Sequence, residues 1–161
     1  KVIQADVTNG RGERNVVDGD LNLLQGFEFN AATSLDEVMK AAYTVGFDRV
    51  SGLAAIAIQF EDPSLELQQV EGATQARFTV GLAAVNFETG DYEVDVVHSE
   101  SVEIASKAAV QVDIEAGISA NSEQPVFLVL GVEYYQAVNG ELYLINNKES
   151  RALLLATVDM P

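Results

Sequence analysis

From Phe47 onward the apolar positions recur with a period of two: Ile56, Ile58 and Phe60, then Phe78, Val80 and Leu82, then Tyr92, Val94 and Val96, then Val102 and Ile104, then Val110, Val112 and Ile114. Successive side chains on a strand point to opposite faces, so each run predicts a strand with one buried face. On that alternation Tyr92, Val94 and Val96 turn inward, and Asp91, Glu93 and Asp95 form a solvent face, as do Asp113 and Glu115. Val126 to Leu130 is apolar without interruption, which predicts a central strand covered on both sides. Leu153 to Val158 supplies the last strand.

Turn residues join these runs. Asn139-Gly140 lies between Tyr134–Val138 and Glu141–Ile145, and Asn-Gly predicts a type I′ turn because both central residues need positive φ. Thr89-Gly90 predicts a second, looser hairpin, and Pro63 and Pro125 suit strand edges or starts.

Only one stretch has the helical period. Ser34-Leu35-Asp36-Glu37 fits a capping box, and Leu35, Val38, Met39, Ala42 and Tyr43 follow as one apolar stripe before Gly46. One short amphipathic helix is predicted near residues 35–45. Ahead of it, Val2 to Thr8 has strand character, and Asn9 to Asn15 is a glycine-containing hinge. The expected organisation is therefore an N-terminal strand and hinge over residues 1–15, available for exchange between subunits, and one domain over residues 16–161. Short strands punctuated by turns, with a single helix, predict a mainly β chain. The expected fold is an antiparallel β-sandwich of immunoglobulin-like or jelly-roll type.

Composition narrows the partners. The chain has 161 residues, 48% hydrophobic and 21% charged, enough apolar surface for one folded domain. Nine Lys and Arg stand against 25 Asp and Glu, a net charge of −16, which opposes nucleic acid and anionic membrane as partners. There is no cysteine, so disulfides and thiol chemistry are absent. No apolar run approaches the roughly 18 residues of a membrane helix, so no membrane insertion is expected. A start at Lys1 without a signal pattern agrees with a processed chain, and the expected location is extracellular or on the cell surface, a virion component being the variant of that reading.

Motifs that carry chemistry are sparse. Asp18-Gly19-Asp20-Leu21-Asn22 has the alternating oxygens of the front of a calcium loop, but Leu23 and Phe29 occupy the positions where an EF-hand needs Gly and Glu. Asp18, Asp20 and Asn22 are thus the candidate ligands of a non-EF calcium site, and calcium is the one cofactor worth considering. His98, the only histidine, stands beside Ser99 and Glu100, but adjacent strand residues face opposite ways, so no catalytic triad is expected. Phosphate-cradling glycine loops are missing. Tyr134, Tyr135 and Tyr143 cluster near the Asn-Gly hairpin as packing residues or as a sugar platform.

Phe29-Asn30-Ala31-Ala32 ahead of the helix, Val50-Ser51-Gly52 after it, and Val126-Phe127-Leu128-Val129-Leu130-Gly131 before a hairpin and a final strand follow an order that resembles uncharacterised immunoglobulin-like proteins of Bacteroidota-type bacteria. The resemblance spans residues 27–158 and implies a surface or exported β-sandwich, with no catalytic residue carried over. Together these features lead to the expectation of a non-enzymatic structural subunit that partners copies of itself, assembling into an extracellular pilus-like filament by donating its N-terminal strand. Val2, Ile3, Ala5 and Val7 are then the candidate interface residues. The alternative is a monomeric surface module that binds a glycan or calcium.

Overall fold

A computed structural model describes residues 1–161. The chain is mainly β, with nine strands in two antiparallel sheets. The smaller sheet has the order β1-β2-β6, from Ala42–Asp48, Leu53–Phe60 and Val110–Gly117. The larger sheet is centred on β3 (Gln75–Val85) and β7 (Val126–Val138). β4 (Tyr92–His98) and β5 (Val102–Glu103) flank β3, while β8 (Glu141–Leu144) and β9 (Arg151–Asp159) flank β7.

Burial follows from the alternation. Ile56, Ile58 and Phe60 of β2 and Val112 and Ile114 of β6 face Phe78, Val80 and Leu82 of β3 and Leu128, Leu130 and Val132 of β7 across the sandwich. Phe60 and Phe78 meet with ring centroids 5.6 Å apart. Apolar faces of both sheets are removed from water in one cluster, the dominant stabilising contribution in such an architecture. β7 is the expected central strand. Asn139 and Gly140 both have positive φ, +53° and +86°, as the type I′ turn after it requires.

The predicted helix over residues 35–45 is mostly replaced by strand. The capping box of Ser34 and Glu37 forms, but the α-helix stops after one turn, Leu35–Val38. The chain then extends: Met39 bridges to Leu67, and β1 begins at Ala42. Tyr43, Val45 and Phe47 carry a period of two that overlaps the helical stripe, and pairing with β2 decides for it. Gly46 is a strand residue. A second one-turn helix, Pro63–Glu66, is capped by the Asp62 carboxylate with Pro63 in the first turn, where its missing N–H costs nothing.

The N-terminal expectation is corrected as well. Val2 to Val7 is not a strand; Ile3–Ala5 is a single 3-10 turn. The reason is Asp6, whose buried carboxylate accepts the backbone N–H of Thr8, Asn9 and Asn15 and the side-chain amide of Asn9. An extended chain cannot bring those donors to one carboxylate. Burial raises the Asp6 pKa and the hydrogen bonds from Asn9, Asn15 and Thr8 overcome it, holding the group at about 2. Residues 1–15 are thereby tied to the segment that follows. A 3-10 turn at Leu21–Leu24 places Leu21 in a second small core with Leu155 and Val158, against which Val2, Val16 and Leu24 pack. The first part of the chain thus lies over the outer face of β7 and β9. It ends as a short edge partner of β9, with Phe29 N–H donating to Leu153 O and Leu155 N–H to Phe27 O, each at 2.9 Å.

Candidate functional site

The sequence-derived candidates scatter. Asp18 accepts the side-chain amides of Asn9 at 2.6 Å and Asn15 at 2.7 Å. Asp20 caps the Leu21–Leu24 turn, accepting both the backbone and side-chain N–H of Asn22 at 3.1 Å. One oxygen of each carboxylate proposed for calcium is thus engaged with amides, and nowhere in the chain do three His, Asp or Glu side chains gather as a cation cage. Of the interface candidates, Ile3 and Val7 are exposed, Ala5 is half-buried, and Val2 packs on the second core. Tyr134 is no platform: it has no accessible surface, its hydroxyl donates to Val38 O at 2.6 Å and accepts from Gln68 N–H at 3.0 Å, and burial pushes its pKa up. His98 Nδ1 lies 2.8 Å from Thr79 Oγ1, whereas Ser99 is turned away and bonds to Phe78 N–H and Glu100 O. No nucleophile, base and acid come together there.

The carboxylate strip is inverted relative to expectation. Tyr92, Val94 and Val96 are exposed (73%, 53% and 55%), and Glu93 and Asp95 point toward the other sheet. Asp95 accepts the backbone N–H of Gly117 and Glu93 that of Ser119, both at 2.9 Å, and Glu93 also takes the Ser119 hydroxyl at 3.1 Å. These N–H groups belong to the outer side of β6 and of the residues after it, which no strand covers. The carboxylates on the edge strand β4 thus clasp the neighbouring edge, and that use outweighs burial of the valines. This side of the sandwich is closed by side chains.

On the opposite side the β1 edge is open. Ile118 N–H donates to Gly52 O at 2.9 Å, which fixes the pairing parity along β2. That parity turns the N–H and C=O of Tyr43, Val45 and Phe47 away from β2, and no hydrogen bond within the chain takes them. The strand carries no proline, lysine or bulge, the usual protections of an edge. The same three side chains pack on the main core while remaining partly accessible. At one end Arg49 closes the sandwich, its guanidinium pairing with the Asp159 carboxylate and donating to Asp159 O and Gln124 O. At the other end Glu28 accepts Leu35 N–H at 2.9 Å. Burial, with the nearby charges of Asp36 and Glu28, raises the Tyr43 pKa. Between these two closures β1 presents an unpaired ladder.

No protein-family model, curated protein or solved structure matches this chain. The class it defines is therefore the one its own geometry supports, an antiparallel β-sandwich with one edge clasped by carboxylates and one edge free.

Proposed function

We propose that this protein is a non-enzymatic structural subunit that assembles with copies of itself, its β1 edge accepting an extended strand from a neighbour. The observation that supports this reading is the unprotected β1 edge, with outward N–H and C=O groups on Tyr43, Val45 and Phe47 and no partner in the chain. An added strand would satisfy those groups and complete the burial of the three side chains. The donor in this proposal is the N-terminal segment of the next subunit. Ile3, Ala5 and Val7 alternate with polar Gln4 and Asp6, and two of the three are exposed in the free subunit. Donation would exchange the Asp6 bonds and the packing of Val2 for a strand ladder. Donor and acceptor are different surfaces, so the contact is head-to-tail and propagates as a filament unless it closes. An extracellular, pilus-like filament is the assembly this implies. A charge of −16 on every copy makes assembly dependent on salt or cations that screen repulsion.

Negative-stain microscopy and sedimentation of the full chain test it over a range of salt. Val45→Pro blocks the β1 edge at an N–H that has no partner in the subunit. Ile3→Asp with Val7→Asp spoils the donor at two exposed positions. Filaments or an oligomer ladder from the native chain and monomers from both variants are expected. A native chain that stays monomeric throughout would overturn the proposal, and so would normal assembly of Val45→Pro. Normal assembly of the Ile3, Val7 variant alone would overturn the choice of donor.

A further inference from the structure

The outer face of the larger sheet carries a groove of about 840 Å³ beside the N-terminal cover, on the other sheet from β1. Cross-strand register builds its floor. Thr79, Gly131 and Leu153 are neighbours in one row across β3, β7 and β9, with His98 beyond Thr79. Gly131 leaves the middle of that row without a side chain, and a Cβ there would lie 3.0 Å from Leu153 Cδ1, so the depression is the shape this sequence builds. In the next row Arg77, Glu133 and Arg151 lie side by side. One wall is Phe29 to Ala32. Asn30 fixes it by donating from its side-chain amide to the carbonyls of Lys148, at 2.6 Å, and Arg151, while its own carbonyl accepts Ala32 N–H at 2.9 Å.

Charge distinguishes this groove from the rest of the surface. The chain has only nine Lys and Arg, against 25 acids, and a single His. Lys148, Arg151 and that His all line the groove, with Glu133 as the one acid. Glu133 is already held, accepting the Tyr135 hydroxyl at 3.0 Å with Arg77 beside it in register. The one ion pair in the chain joins Arg49 to Asp159, so Lys148 and Arg151 have no carboxylate partner. The hydrogen bond of the Arg151 guanidinium goes to the Asn146 side chain at 3.2 Å. Lys148 and Arg151 in the groove, with Arg77 in the adjoining row, outnumber the single carboxylate of Glu133, so on a strongly acidic protein the groove is a locally positive field that attracts an anion. Arg151 supplies the planar donor fork that matches a carboxylate.

The shape selects among anions. The volume lies within the roughly 300–1,000 Å³ typical of small-molecule sites. The groove is open, so it cannot shield a fatty acyl chain from water. Its rim holds Phe29, 55% exposed, and its lining mixes Thr79 and His98 with apolar Leu153. Alternating apolar and hydrogen-bonding surface next to fixed cations suits a sugar ring that carries a carboxylate. We infer that this groove is a binding site for an acidic saccharide, its carboxylate held by Arg151 and Lys148 and a ring face laid against Phe29.

Amide NMR titration and calorimetry on the full chain test this with trigalacturonate as probe, maltotriose as the neutral counterpart and triglutamate as an acidic peptide. Saturable shifts at Thr79, Gly131 and Phe29 with trigalacturonate are expected. Maltotriose and triglutamate should bind at least tenfold more weakly. Arg151→Gln and Lys148→Gln should each weaken trigalacturonate roughly tenfold, the scale of one charge-assisted hydrogen bond, with unchanged melting curves. The absence of saturable shifts, or native affinity in both variants, would overturn the site. Equal binding of maltotriose would overturn the role of charge, and equal binding of triglutamate the saccharide.

Discussion

Gly52 in the β1–β2 turn and Gly140 in the β7–β8 turn have nearly the same backbone conformation, φ +76° and +86°, in different surroundings. An alanine at either must enter the left-handed region, at a cost of about 1–2 kcal/mol. A Cβ on Gly140 would meet nothing within 4 Å, whereas one on Gly52 would lie 2.2 Å from Ile118 O and 3.0 Å from the Ser119 carbonyl carbon. The obstacle is backbone, so the turn has to move away from the end of β6. That movement breaks the bond from Ile118 N–H to Gly52 O and loosens the Ser119 clasp on Glu93. With about 1 kcal/mol for each lost bond and some residual strain, Gly52→Ala should cost about 4 kcal/mol and Gly140→Ala about 1.5 kcal/mol. At about 2–4 °C per kcal/mol for a domain of this size, Tm should fall by about 8–16 °C in the first and about 3–6 °C in the second. Urea titration followed by circular dichroism gives both values on one scale. A difference below about 0.5 kcal/mol, the usual size of a neutral surface change, would refute the reasoning, because it would mean that the Ile118 and Ser119 carbonyls yield freely.

Three further outcomes are expected. Asp6 has a folded pKa of about 2, below the ordinary value of 3.8, so its contribution to stability is complete above that ordinary value and disappears as pH falls toward 2; a carboxyl carbon NMR titration with a midpoint near 3.8 would refute the cage, and Asp6→Asn should remove the acid sensitivity of the N-terminal cover. Asp95→Ala and Glu93→Ala should each cost about 1 kcal/mol and speed amide exchange at Gly117 and Ser119 respectively; unchanged exchange would mean that the clasp does not hold the β6 edge. Tyr134→Phe should cost only about 1 kcal/mol, because Gln68 N–H and Val38 O keep their own 3.0 Å bond when the hydroxyl leaves; a loss above about 3 kcal/mol in denaturant titration would show that the hydroxyl secures more than that corner.

What could be foreseen from the residues was whatever local chemistry decides. The Asn139-Gly140 turn needs positive φ at both positions, the Val126–Leu130 run has no polar face to expose, and the Ser34/Glu37 box is complete within four residues. The errors arose where two local signals competed. Leu35, Val38, Met39, Ala42 and Tyr43 satisfy a helical stripe, but Tyr43, Val45 and Phe47 satisfy a strand, and only the partner β2 distinguishes them. Alternation alone turns Tyr92, Val94 and Val96 inward because apolar side chains are usually buried; the free N–H groups of Gly117 and Ser119, 22 and 26 residues from their acceptors, reverse the face. Val2 to Val7 alternates like a strand, but Asp6 gathers donors from as far along the chain as Asn15 and coils the segment instead. The groove left no mark in the sequence at all. Phe29, Thr79, His98, Gly131, Lys148 and Arg151 come from five separate stretches, made neighbours by strand register and by the Asn30 hydrogen bonds to Lys148 and Arg151.

The cover over the outer face also bears on how the chain is made. Residues from Val2 to Phe29 leave the ribosome before any strand of the sandwich, yet the surface they pack on is formed by β7 and β9, and β9 is the last of the nine strands to emerge. During synthesis Val2, Leu21, Leu24, Phe27 and Phe29 therefore have nothing to fold against until Leu153 to Val158 has appeared. The smaller sheet does not wait in this way, since β1 and β2 form a hairpin and β6 is made before β7 and β9. Vectorial synthesis thus leaves these apolar side chains uncovered while every strand before β9 is made, a nascent state open to association with other apolar surface.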